Sequence, residues 1–175
     1  MHGLFSKLHL ALSHGTEIFG KYLSWLTLIM TILMFTLVVL RYTLNFNLIS
    51  LQESVIYLHA AVFLLGTGYT LKADGHVRVD ILYRAMKEHQ KAWVNLLGSL
   101  FLLLPMMIFI GVVSWDYIAF SWSILEKSQE AGGLPFVYLL KTLILGMVFS
   151  ISIQGVAEIL RCAALLERHY SKEAN

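Results

Sequence analysis

The sequence predicts an all-α fold: an integral membrane bundle of four transmembrane helices with short interfacial amphipathic helices, in a single membrane domain over residues 1–175. Three observations carry this prediction. Hydrophobic residues make up 58% of the chain and charged residues only 14%, against about 25% charged residues in a soluble domain. A mean hydropathy of +0.71 leaves too little polar surface to cover a globule, which makes lipid the solvent. Four runs reach the about 20 apolar residues that a helix needs to cross a hydrocarbon core. A formal net charge of +2 supplies no basic field for nucleic acid.

Span one, about residues 22–41, is the uncharged run YLSWLTLIMTILMFTLVVL between Lys21 and Arg41. It exceeds the about 7–15 apolar residues of a signal peptide, and no small-residue cleavage site follows, so it reads as a retained span. Span two, about 52–71, lies between Glu53 and Lys72. A short connection after Arg41 makes these two an antiparallel hairpin. Span three, about 92–116, contains Pro105, which removes a backbone donor and predicts a kink. Span four, about 135–158, begins near Pro135 and is interrupted only by Lys141. Proline suits a first helical turn, where the missing N–H costs little. With no water to bond the backbone in lipid, each run must be a helix.

The connections add detail. In the loop of residues 117–134, apolar Ile118, Trp122 and Leu125 predict a short surface helix lying in the interface. The final residues, ERHYSKEAN, read as a polar tail that frays. The loop of residues 72–91 opens on LKADGHVRVDILY. There Asp74-Gly75 makes a turn, with Gly75 free to take a positive φ as a helix cap. Asp80 is placed to cap a following amphipathic helix, in which Ile81, Leu82, Ala85, Met86 and His89 face one way. Arg84 and Glu88 then stand four residues apart, close enough to pair.

Basic residues orient the bundle. One side holds Lys7, Lys21, Lys72, Arg78, Arg84, Lys87, Lys91, Arg161, Arg168 and Lys172, and the other only Arg41, Lys127 and Lys141. The positive-inside rule puts the first side, with both termini, in the cytoplasm, and residues 117–134 in the periplasm. Aromatic residues near the span ends, such as Trp25, Tyr42, Trp93 and Trp115, fit an interfacial belt.

Few residues invite chemistry. Cys162 is the only cysteine, so no internal disulfide forms, and no His/Cys/Asp/Glu cluster has metal-ligand spacing. His59 is the only histidine inside a span. At 100° per residue it shares a stripe with Gln52, Phe63, Gly66 and Thr70, of the kind that lets membrane helices pack. Gly146, Ser150 and Ala157 form a similar stripe on span four. Either stripe can serve contacts within the chain or with another membrane protein. Arg41, Glu53, Asp116 and Lys141 fall at one end of the four spans, where Arg41 and Glu53 are the natural pair across a short loop. No span carries an acidic residue at mid-depth, which an ion-coupled carrier working alone needs. Two other readings stay open: a redox subunit binding haem through His59, and a small homodimeric exporter. The first lacks a second intramembrane histidine, and the second an acidic residue in an early span.

The segment LKADGHVRVDILY, with Glu53 at the start of span two and LEKSQEAGGLPFVYLLKTLILG before span four, resembles the small membrane subunit (DctQ-like or SiaQ-like) of tripartite ATP-independent periplasmic (TRAP) transporters. The resemblance covers most of the chain. One departure is Gln52-Glu53, where many relatives carry paired acidic residues. The resemblance implies a non-catalytic subunit of the bacterial inner membrane that needs no cofactor. Its implied partners are a large membrane subunit, which would bind the sodium, and a periplasmic substrate-binding protein. The implied cargo is an organic acid such as sialic acid or a C4-dicarboxylate. It also makes Gly75, His76, Arg78, Asp80, Glu53 and Arg41 the candidates for assembly with partners. His59, Gly66, Thr70, Gly146 and Ser150 are then the candidates for helix packing.

Overall fold

The computed structural model describes residues 2–76 and 83–173. Among these the chain is helical and carries no strand. Its elements are α1 (His2–Thr43), α2 (Ile49–Lys72), α3 (Glu88–Gly98), a π-helical turn (Ser99–Leu103), α4 (Leu104–Ser123) and α5 (Val137–Glu173). Four stretches are long and apolar enough to cross a membrane: Leu8–Thr43, Ile49–Lys72, Glu88–Ser123 and Val137–Ser171. The first three contain the spans expected from the sequence, whereas the fourth begins at Val137, so that Pro135, expected in its first turn, lies two residues before it.

The helices overrun those spans. A 36-residue stretch such as Leu8–Thr43 is about 54 Å long at 1.5 Å per residue, well beyond a core of about 30 Å. Hydropathy marks where a helix enters lipid and says nothing about where it ends in water. The tail expected to fray is accordingly helical to Glu173, which belongs to α5. The surface helix expected around Ile118, Trp122 and Leu125 is not separate: α4 continues to Ser123, and Ile118 is buried. The outer loop therefore shortens to residues 124–136. The amphipathic helix expected after Asp80 begins outside the described residues, and Tyr83, the first residue described after it, is helical. Residues 84–86 form a turn, and a helix starts at Glu88, after Lys87 in extended backbone. The Gln90 side chain accepts from the Lys87 N–H (2.9 Å), so a Lys-x-x-Gln box stands where Ser, Thr, Asp or Asn would be usual. Arg84 consequently stands in the turn before the helix that Glu88 opens, so the two do not share one helix.

Pro105 acts just upstream of itself. Lacking an N–H, it cannot bond the Phe101 carbonyl, and its ring crowds that turn. The chain responds with a π-helical turn, in which the Leu104 N–H reaches back to the Ser99 carbonyl. Span three is thus α3 and α4 joined by one widened turn.

α5 packs against every other helix, and α2 lies against both α1 and α5. Glycines permit the closest approaches. A Cβ on Gly68 would lie 2.5 Å from the Ser150 carbonyl oxygen, and the Ser150 Oγ–H donates to the Leu65 carbonyl (2.9 Å). A Cβ on Gly146 would strike the Leu65 side chain, and one on Gly20 the Tyr69 ring. The buried core is thin, with Ala92, Ala157, Cys162 and Leu166 among its few members. Large apolar side chains point outward instead: Phe35 is 70% exposed, Leu102 73% and Val112 69%. Lipid tails are as apolar as these side chains, so close van der Waals contact and interhelical hydrogen bonds hold such helices together.

Candidate functional site

Polar side chains gather at the two ends of the bundle. At the end away from the termini, Glu53 in the first turns of α2 reaches the loop before α5. One of its oxygens accepts from the Ser128 hydroxyl, 75 residues away. The other accepts from the Leu134 N–H (2.6 Å). The loop is built to meet it. Gly132 takes φ +85, and a Cβ on Gly133 would lie 2.6 Å from Ser128 Cβ and 2.8 Å from Glu53 Oε1. The Ser128 N–H donates to the Leu134 carbonyl (3.1 Å), closing the loop on itself.

A second carboxylate locks the same loop. α4 ends with Leu125 at φ +46, a left-handed cap that lets the Glu126 N–H return to the Ser121 carbonyl (3.0 Å). Glu126 then takes the Lys141 ammonium of α5 and the Ser121 hydroxyl (2.6 Å). Hydrogen bonds from Lys141 first and Ser121 second hold the Glu126 carboxyl below the usual carboxylate range. The Lys141 ammonium also sits 4.0 Å above the Tyr117 ring, a cation–π contact. Beside it the Trp122 indole N–H donates to Thr142 (2.9 Å).

The end carrying the termini has its own network. Glu17 of α1 joins Lys72 of α2 (2.6 Å) and Lys21 (2.8 Å). On α5, Glu158 receives the Arg161 guanidinium (2.8 Å) and the Asn95 amide (3.4 Å), and Asn95 in turn accepts from the Tyr83 hydroxyl (3.2 Å). His9 bonds the Ala157 carbonyl (3.1 Å). These groups surround a polar cavity of about 580 Å³, with Lys72, Asp74, Gln154 and Arg161 in its wall. His89 and His169 meet nearby, with ring centroids 4.5 Å apart.

The residues singled out by the sequence fall as follows. Arg78 and Asp80 lie outside the described residues. Gly75 and His76 are exposed at the mouth of the turn after α2. The positive φ expected at Gly75 falls instead on Asp74, at 55. Aspartate tolerates that region because its short side chain bonds locally. Gly75 supplies room, since a Cβ there would be 3.1 Å from Thr70 Cγ2. Arg41 is exposed in the last turn of α1. Among the described residues it does not pair with Glu53, whose oxygens are taken by Ser128 and Leu134.

Gly146 and Ser150 stand at the α2–α5 contact, opposite Leu65 and Gly68. The α2 side of that contact is thus not the stripe through His59. On that stripe His59 and Phe63 are exposed, and the Thr70 hydroxyl bonds its own helix at the Gly66 carbonyl (3.1 Å). The sequence reading passed over Gly68, Glu126 and Ser128. Lys141 inside an apolar run was a signal for the second, because a buried ammonium calls for a nearby carboxylate. Among the described residues no three His, Cys, Asp or Glu side chains converge as a metal site.

Four apolar helices, each long enough to cross a bilayer, define a multi-pass helical membrane protein. A family model described as tripartite ATP-independent periplasmic transporters, DctQ component, matches residues 30–165. The chain belongs to the DctQ family, the small permease component of TRAP transporters. Comparisons with curated proteins and with solved structures gave no match.

Proposed function

We propose that the chain is a non-catalytic scaffold of a TRAP transporter. In this reading it holds the large membrane subunit while that subunit takes up an organic acid with sodium. A periplasmic binding protein delivers the acid, a carboxylate of the sialic acid or C4-dicarboxylate kind. The observation that carries the reading is where the charges go. Acidic side chains stand at the ends of the bundle, where Glu53, Glu126, Glu17 and Glu158 are each committed to partners in the same chain. The centres of the spans contain none. A carrier that couples ions to transport needs an ionisable or coordinating site near mid-depth. A scaffold needs rigid ends, and the locked loop of residues 124–136 supplies one on the side where a binding protein arrives. Both termini are then cytoplasmic, with Gly75, His76, Arg78 and Asp80 facing the partner there, and Arg41 and Glu53 on the periplasmic side.

Proteoliposomes test this directly. The chain alone should accumulate no organic acid under an inward sodium gradient. Together with the large subunit and the binding protein it should do so, and omission of the chain should abolish uptake. Sodium-driven uptake by the chain alone, or undiminished uptake without it, would refute the scaffold reading.

A further inference from the structure

We infer that the outward face of α2 around His59, with the groove it shares with α1, is the seat of a helix of the large membrane subunit that offers a hydrogen-bonding side chain to the imidazole. This deepens the scaffold reading and rests on it. His59 lies ten residues into the 24-residue α2, about 15 Å along the helix and so near the middle of the bilayer. Its side chain is exposed. Among the described residues its ring stacks on Phe63 at 6.2 Å and makes no hydrogen bond. A neutral imidazole carries one donor and one acceptor, and in hydrocarbon both go unmet. Ionisable side chains inside spans almost always face protein or a water-filled cavity. The contrast with neighbouring polar groups is sharp, since the hydroxyl of Thr31, in the same groove, bonds the Thr27 carbonyl of its own helix (2.8 Å).

The groove has the shape such a helix requires. Met30, Met34, Phe35 and Val38 of α1 and Val55 and Ile56 of α2 line a concavity of about 610 Å³, with His59 in its wall. Methionine side chains adapt their shape to an incoming surface. The outward side of span three differs, for Leu102, Met106, Phe109 and Val113 are exposed there and present no hydrogen-bonding group. That surface suits acyl chains. An acyl chain in the His59 groove would satisfy the apolar wall and neither ring nitrogen, whereas a partner helix can satisfy both.

The test uses the full chain co-expressed with the large membrane subunit. The photoreactive residue p-benzoylphenylalanine replaces His59 in one variant and Phe109 in another, and each is irradiated in membranes. Position 59 should give a covalent adduct with the large subunit and position 109 should not. Adducts from 109 and none from 59 would overturn the inference, as would adducts from 59 to lipid alone or to a second copy of the chain. If the two subunits cannot be recovered together at all, the scaffold reading itself fails, and that outcome is separate from a complex formed through another face. A second measurement isolates the hydrogen bond. His59→Leu should weaken retention of the large subunit about threefold to twentyfold, the range for one hydrogen bond between membrane helices, and His59→Gln should restore most of it. Equal retention by all three chains would remove the imidazole from the interface.

Discussion

Glu53 shows how one side chain can fix a loop that lies far away in sequence. Both carboxylate oxygens are occupied, by the Ser128 hydroxyl and the Leu134 N–H. Glu53→Ala would leave that backbone N–H without its partner, at a cost of about 1–3 kcal/mol. The expected outcome is faster amide exchange across residues 124–136 in a nanodisc, with exchange in the middle of α2 unchanged. Exchange of the loop at the wild-type rate would show that Glu53 does not anchor it. The sequence placed Arg41, Glu53, Asp116 and Lys141 at one end of the bundle, which hydropathy and spacing suffice to do. It paired Arg41 with Glu53 because a short loop joins them. The choice of partner depended on where α4 ends. Since α4 runs to Ser123, Glu126 falls at its cap, within reach of Lys141, and the loop that follows folds back onto Glu53. A three-dimensional path of that kind leaves no trace in span-end charges.

At the scale of the helix, what lipid dictates was legible and what water permits was not. The four apolar runs were plain because a run without charge has only one way to satisfy its backbone in hydrocarbon. The polar extensions of α1 and α5 were not, because amphipathic and polar turns persist as helix only where a neighbour supports them. α1 and α5 support each other there, for instance through His9 and the Ala157 carbonyl. Helix contacts were half legible. Small-residue stripes pointed to α2 and α5, and on α5 Gly146 and Ser150 do meet the neighbour. On α2 the contact glycine is Gly68, two residues and about 200° from the stripe's Gly66. The two glycines give a discriminating prediction. Gly68→Ala drives a Cβ to 2.5 Å from the Ser150 carbonyl oxygen and 2.9 Å from its carbon, backbone atoms that cannot rotate away. It should destabilise the bundle by about 1–3 kcal/mol. Gly66→Ala meets only Leu23 Cδ2 at 3.5 Å, an ordinary contact, and should be close to neutral. Unfolding of the two variants in mixed detergent micelles measures the difference. Equal midpoints would mean that α2 and α5 do not approach at Gly68.

For the molecule as a whole, the asymmetry between its ends predicts an orientation. Ten of the thirteen basic residues belong to the end that carries the termini. That end also has the helical overhangs, since α1 begins at His2 and α5 continues to Glu173. The opposite end is compact, closed by the loop of residues 124–136 with only Arg41, Lys127 and Lys141 as basic groups. Lysine and arginine close to span ends are retained on the cytoplasmic side during insertion. By that rule the end that carries the termini is the cytoplasmic one. A fluorescent protein that matures only in the cytoplasm, fused after Asn175, should therefore be bright. Alkaline phosphatase, active only in the periplasm, should be active when inserted after Glu130 and inactive when fused after Asn175. The reverse pattern would invert the bundle. It would put the Glu53 loop in the cytoplasm, out of reach of any periplasmic protein, and so remove the part of the proposed function that depends on that encounter while leaving the His59 face in the bilayer untouched.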